Sequence, residues 1–404
     1  MTAASGAAPR RGSAVIEVLA AFLRLGLTSF GGPVAHLGYF RAEFVERRRW
    51  LDESAYVDIV ALCQFLPGPA SSQVGITLGL LRAGLPGAVA AWVGFSLPSA
   101  LALIAFGYGV GALGDTAHAA WLHGLKIVAV AVVAQAVWGM ARKLCPDRER
   151  ASLAVGAALL ALAAPSAAGQ IGAILLGGLV GWRLLPPALG GGATALGLRL
   201  SRTLSLAALM LFFALLFGLP LLAAATGDHA VALASSFYRS GSLVFGGGHV
   251  VLPLLQQAVV PPSWVSNDTF LAGYGAAQAV PGPLFTFAAY LGTVMGPAPN
   301  GWVGGLLCLS AIYLPSFLLL VGVLPFWEAL RRRAAVQSAM KGVNAAVVGL
   351  LLAALYRPVW TSAILGPSDF ALGLTAFLLL VFWRVPPWLV VILGALGASG
   401  LAAL

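Results

Sequence analysis

The chain has 404 residues, of which 60% are hydrophobic and only 9% charged. Soluble globular chains carry about 25% charged residues, so this composition excludes that class and marks a polytopic membrane protein. The formal charge of +10 sits mostly on arginines in short loops, where the preference of basic residues for the cytoplasmic side accounts for it without a nucleic-acid partner.

Helix-sized apolar segments, 50 glycines and 24 prolines favour an α-helical bundle over a β-barrel, whose strands would alternate apolar and polar residues. Cys63, Cys145 and Cys308 have no paired spacing, which predicts neither a disulfide framework nor a metal site. Arg10 and Arg11 precede the first apolar run as in a signal peptide. Glu17 and Arg24 interrupt that run and no small-residue cleavage site follows, so the segment is expected to be retained.

In chain order, the first apolar segment (residues 14–37) contains "FLRLGLTSFGGP", residues 22–33, and residues 237–248 echo it as "FYRSGSLVFGGG". Phe22, Arg24, Gly26, Phe30, Gly31 and Gly32 match Phe237, Arg239, Gly241, Phe245, Gly246 and Gly247. A polar stretch ending at Trp50 follows, and its counterpart around Trp264 is nearly uncharged. Next comes "QFLPGPASSQ" at 64–73, repeated as "QAVPGPLFTF" at 278–287. "SLPS" at 96–99 is answered by "YLPS" at 313–316, and "GLKIVAVAVV" from Gly124 by "GVNAAVVGLL" from Gly342. Five matches in one order at near-constant offset establish an internal duplication. The domain reading is an N-terminal repeat at 14–186, a linker with one transmembrane helix at 187–228, and a C-terminal repeat at 229–404.

A Pro-Gly-Pro sequence cannot run through an α-helix, because each proline removes a donor and clashes with the preceding turn. Within lipid, broken backbone survives only where protein buries it or where it lines a watery cavity. Matched breaks in two halves point to a transporter's binding site.

Orientation follows from the arginines. Arg10 and Arg11 precede the first FGG segment and Arg41, Arg47, Arg48 and Arg49 follow it, so this segment is expected to dip in and return. If the PGP segment does likewise, every strongly basic loop falls on one face and the second half begins on the other. The predicted fold is an all-α polytopic membrane protein of two homologous, inverted-topology halves, with broken or re-entrant helices at FGG and PGP. The count expected is about nine crossing helices and roughly four re-entrant pieces. A scheme in which every apolar segment crosses is the alternative.

"FGGP", "ERRRWLDE", "LCQFLPGP", "SLPS", "FGGGHVVLP" and "GYGAAQAVPGPLFTFAAYLG" together resemble the chromate ion transporter family in its long two-domain form, over roughly residues 21–357. The resemblance implies a bacterial inner-membrane protein that expels chromate from the cytoplasm and confers resistance, with sulfate as competitor. It departs at Glu43, which pairs with the neutral Gln257.

A tetrahedral dianion needs positive potential and directed donors. The new helical halves after Pro69 and Pro283 offer N-terminal N–H groups worth about half a positive charge each. The substrate-binding candidates on these breaks are Gln64, Pro67, Gly68, Pro69 and Ser71 in the first half, and Gln278, Pro281, Gly282, Pro283 and Thr286 in the second. Ser72 and Gln73 are weaker, since such residues also cap and glue helices. Gly31, Gly32, Gly246 and Gly247 either face the ligand or allow close packing. Arg24 and Arg239 are matched intramembrane arginines, a costly placement; they are expected either to converge on a dianion with their guanidinium forks or to snorkel. Lys126, opposite Asn344, is read as a secondary cation or an interfacial anchor. Asp58 is expected to act as a cytoplasmic cap, with proton coupling the alternative, and His36 and His249 to pack.

The functional expectation is secondary active chromate efflux, with no cofactor, metal or catalytic residue. The expected partners are the oxyanion and the lipid bilayer, with a homodimer left open. No P-loop appears, so ATP is not the direct drive. Uptake or exchange of sulfate or another oxyanion is the first alternative, and a membrane-embedded transferase the second.

Overall fold

The computed structural model describes residues 11–112, 120–187, 200–245 and 248–402, which form helices and turns with no strand among them. In the first half, α1 (Arg11–Thr28) stops at the FGG break, where Gly31 and Gly32 take φ of 100° and 75°. Helix α2 (Gly32–Phe40) leads back and continues through a wider turn over Arg41–Arg47. Asp52 then caps α3 (Glu53–Phe65) by accepting from the Ala55 amide at 2.8 Å, an N-cap geometry that satisfies an orphan donor of the first turn. The PGP break follows, with Gly68 at φ 125°. Helix α4 (Ala70–Ala112) begins after it and is itself broken at Ala83 and Gly84.

The polar ends of these pieces meet. Glu17, near the start of α1, accepts from Arg48 at 3.2 Å, from the Trp50 indole at 3.3 Å and from Arg82 at 2.8 Å. Residues 11–47 and 53–82 are therefore two hairpins that dip inward and return to one face, as expected from the arginines. Residues 85–112 then cross, and α5 (Ala120–Leu144) crosses back. Helices α6 (Arg148–Ala163) and α7 (Ala167–Leu184) form a short pair, and α8 (Arg202–Thr226) is the linker helix.

The second half repeats the plan with α9 (His229–Ser242), α10 (Val251–Val259), α11 (Asn267–Ala277) and α12 (Phe287–Val294) as its two hairpins. Here the hairpin ends are tied without charge. The His229 ring stands on Trp264 at 4.8 Å, and the Gly296 amide donates to the Trp264 carbonyl at 3.1 Å. Helix α13 (Gly301–Val323) crosses next and is followed by α14 (Trp327–Arg331) and α15 (Ala334–Ala354). The short α16 (Thr361–Ala363) precedes the closing pair α17 (Pro367–Val381) and α18 (Pro387–Ala402).

Inversion is visible in how α4 meets α13. The Trp302 amide donates to the Tyr108 hydroxyl at 3.0 Å, while Phe317 packs on Trp92 at 5.8 Å. The two helices thus run antiparallel. The first hairpins open beside Arg82 at one end of residues 85–112, and the second open beside Gly296 at the other.

Two features correct the sequence reading. Among the described residues five helices are long and apolar enough to cross a membrane, rather than about nine. The 16 residues of α6 and of α18 reach roughly 24 Å, short of a hydrocarbon core of about 30 Å. The short pairs are also exchanged between halves. Helices α6 and α7 pack on α15, with Gly181 against Gly342 and Ala154 against Gly349, whereas α18 packs on α5 through Gly394 and Gly124. Small residues permit this backbone approach.

Candidate functional site

The two breaks hold each other's halves. The Gly68 amide donates to the Val244 carbonyl at 2.6 Å, and the Gly282 amide to the Ser29 carbonyl at 3.0 Å. Ser29 and Val244 immediately precede the two FGG elements. Each PGP glycine also lies against the serine that ends the other half's "LPS", Gly68 against Ser316 and Gly282 against Ser99. Both glycines have positive φ, a conformation that L side chains rarely adopt.

Two adjoining cavities of about 400 Å³ and about 480 Å³ lie at this crossing. Cys63, Gln64, Leu66, Gly68 and Ala70 line the first; Ala277, Gln278, Val280, Gly282 and Leu284 line the second. These five pairs share one offset of 214 positions, so the cavities are repeat-related chambers. Gly31, Pro33, Gln135 and His249 line both and form the wall between them. Among the described lining residues neither chamber holds a carboxylate. The first has Lys143 as its basic side chain and the second has Arg384.

Of the residues singled out from sequence, Gly31, Gly32, Gln64, Gly68, Ser71, Gln278 and Gly282 line a chamber. Pro67, Pro69, Pro281 and Pro283 shape the breaks without lining either. The Pro67 carbonyl accepts from the Gln73 amide at 2.7 Å, and the Pro283 carbonyl from the Thr286 hydroxyl at 2.7 Å. Thr286 is thereby committed to its own turn. Ser72 lies 3.5 Å from the Tyr313 hydroxyl. Gly246 and Gly247 lie outside the described residues.

The charged candidates are placed differently from expectation. Arg24 is exposed on α1 and Arg239 half-buried on α9, and neither lines a chamber. A convergent arginine pair is therefore not what the chambers present. Lys126 is turned away as well: its ammonium meets Asp268 of the other half at 3.1 Å. Burial of that ammonium, 9% exposed, requires a partner charge.

Sequence reasoning missed Gln135, Asn344, Lys143, Arg384 and the role of His249. The ring Nδ1 of His249 is 2.7 Å from the Tyr274 hydroxyl. If that hydroxyl donates, Nε2 carries the remaining hydrogen and is a donor. Asn344 is the repeat partner of Lys126, and its Oδ1 is buried without a hydrogen-bond partner. The Gln278 Nε2 donor is likewise buried and unpartnered. A buried, unsatisfied amide beside a cavity is a poised ligand contact. The Gln278 donor, the one cation in each chamber and the lack of a carboxylate among the described lining residues suit a small anion, while the Asn344 oxygen is an acceptor and needs a donor such as water or a protonated ligand.

A family model described as "Chromate transporter" matches residues 16–182 and 231–399, one copy per half. The chromate transport protein of Pseudomonas aeruginosa is 30% identical over 95% of this chain and 91% of its own length. That of Cupriavidus metallidurans is 26% identical over 90% of this chain and 87% of its own. An uncharacterized transporter of Methanocaldococcus jannaschii is 26% identical over 86% of this chain and 85% of its own length. No solved structure matches the chain.

Proposed function

We propose that this chain, which belongs to the chromate transporter family, carries chromate out of the bacterial cytoplasm across the inner membrane, confers chromate resistance, and accepts sulfate as a competitor. The observation that carries the reading is the pair of repeat-related chambers, free of carboxylates among their described lining residues and each supplied with one cation. In this reading Gln64 and Gln278 donate to the anion's oxygens, whereas the Ser71 hydroxyl donates to the His36 ring, whose Nε2 bonds the Ser29 carbonyl; the FGG and PGP glycines bring backbone close to the anion. Helix starts after Pro69 and Pro283 add partial positive charge. The site binds and releases; it does not react, and the protein acts as a transporter rather than an enzyme.

The basic helix ends support the direction. Arg142 and Lys143 end α5, Arg183 ends α7, and the arginine-rich hairpin ends join the same face, the side that basic loops mark as cytoplasmic. A dianion leaving an inside-negative cell gains about 2.3 kcal/mol per charge per 100 mV, hence roughly 4.6 in all. That sustains a gradient of roughly 2,000-fold, so the membrane potential suffices as the drive.

Everted membrane vesicles test the proposal. With an inside-positive potential they are expected to accumulate labelled chromate only when the protein is present, and sulfate is expected to reduce that uptake. Equal accumulation with and without the protein would overturn chromate transport. Uptake confined to right-side-out vesicles would reverse the direction.

A further inference from the structure

The closing helix pair reaches deep into the bundle. Asp369, near the start of α17, meets His123 near the start of α5 at 3.0 Å. At its other end the Leu380 carbonyl accepts from Gln135 at 3.3 Å. His123 and Gln135 are twelve residues apart on α5, roughly 18 Å along the helix. Helix α18 then returns, with Gly394 against Gly124. The turn between the two helices therefore lies at the level of the broken helices, where Trp388 packs on Phe30 at 6.1 Å.

Arg384 sits on that turn at φ 54°, a conformation that glycine and asparagine adopt far more readily. Arg384 is exposed and lines the second chamber beside Gln278 and Gly282. No carboxylate among the described residues pairs with it. Left-handed backbone held by an arginine at a cavity wall points to a function, and the unpartnered Gln278 Nε2 in the same chamber is a second donor waiting for an acceptor.

We propose that Arg384 is the residue that captures the oxyanion in the second chamber, its guanidinium fork engaging two oxygens of a tetrahedral dianion while Gln278 donates to a third. The proposal rests on the oxyanion-transport reading given above, and it assigns the charge recognition of this chamber to the α17–α18 turn rather than to the duplicated motifs. A bidentate fork matches a tetrahedral oxyanion better than a point charge does.

The test is direct binding of chromate, sulfate and perchlorate to the purified full-length protein, titrated calorimetrically. Arg384→Asn is the main variant, because asparagine tolerates the left-handed backbone. Arg384→Lys keeps the charge without the fork, and Arg148→Gln alters an exposed arginine that lines neither chamber. Arg384→Asn is expected to weaken chromate and sulfate binding roughly ten- to hundredfold, with a smaller loss for the monoanion perchlorate. The lysine variant should fall between, and Arg148→Gln should stay within about twofold. If the wild type binds the dianions and Arg384→Asn binds them equally well, the Arg384 assignment is wrong and the transport reading stands. If the wild type binds no oxyanion, the transport reading falls and takes this assignment with it. Should Arg384→Asn fail to elute as a folded protein, the lysine variant decides, and an unchanged affinity there refutes the fork.

Discussion

Gly282→Ala probes the reciprocal crossing of the two halves. The added methyl carbon would lie 2.9 Å from Ser99 Oγ and 3.2 Å from the Phe95 carbonyl oxygen, on backbone with φ of 100°. Left-handed backbone costs an alanine about 1–2 kcal/mol. Forcing a methyl into this contact adds about 1 kcal/mol, so the variant should lose roughly 2–3 kcal/mol in all. Ser99→Ala removes the nearer obstacle and leaves its Cβ at 3.4 Å, an ordinary contact. On its own that change forfeits the hydroxyl's bond to the Ser96 carbonyl at 3.1 Å, worth about 1 kcal/mol. In the double variant the Ser99 share of the steric cost should be relieved while the Phe95 contact and the backbone part persist, giving a coupling of about 0.5–1 kcal/mol. Equilibrium unfolding in mixed detergent micelles measures all four corners of the cycle, with chromate uptake followed at matched expression. An alanine within about 0.5 kcal/mol of wild type, or strictly additive effects, would refute a Gly282 packed against the first half.

The remaining predictions use other contacts. Gly68→Leu and Gly282→Leu should abolish transport while leaving membrane insertion intact, as read by uptake and membrane yield, because both chambers need exposed backbone at the break. Single cysteines at positions 48, 148 and 332, in a background lacking the three native cysteines, should resist an impermeant reagent added to intact cells; labelling at any of them would break the assigned orientation. Glu17→Gln removes the charge and one of the two acceptor oxygens shared by Arg48, Arg82 and Trp50. Because this cluster is partly exposed, the expected loss is only about 1 kcal/mol, seen as a lowered thermal midpoint. Asp268→Asn strands the buried Lys126 ammonium and should destabilise the protein more than Lys126→Gln does, while oxyanion affinity in the folded fraction stays within about twofold.

What the sequence could disclose here is what duplication preserves. The FGG and PGP breaks were legible because proline and glycine punctuate backbone locally, and a second copy removes coincidence. The hairpin returns were legible because arginines mark one face: Arg48 and Arg82 do converge on Glu17. The number of crossings was not, since a 16-residue apolar helix reads like a span until its partner helix is known. Nor was the exchange of α6–α7 and α17–α18 between halves, which rests on glycine contacts between distant segments such as Gly181 with Gly342. The site divides along the same line. Gln64 and Gln278 were found because they match, yet matching also selected Arg24 and Arg239, which the repeats keep at equivalent places outside both chambers. Lys126 and Asn344 show why symmetry misleads about charge. The lysine is consumed by Asp268, while its neutral counterpart lines the first chamber. The chamber cations, Lys143 and Arg384, have no basic counterpart in the duplication. A search that compares the halves passes over them for that reason. An inverted duplication builds two similar cavities from backbone and amides, and here each cavity takes its one cation from a position that the halves do not share. Those residues become visible only once the fold brings such positions to the cavity walls.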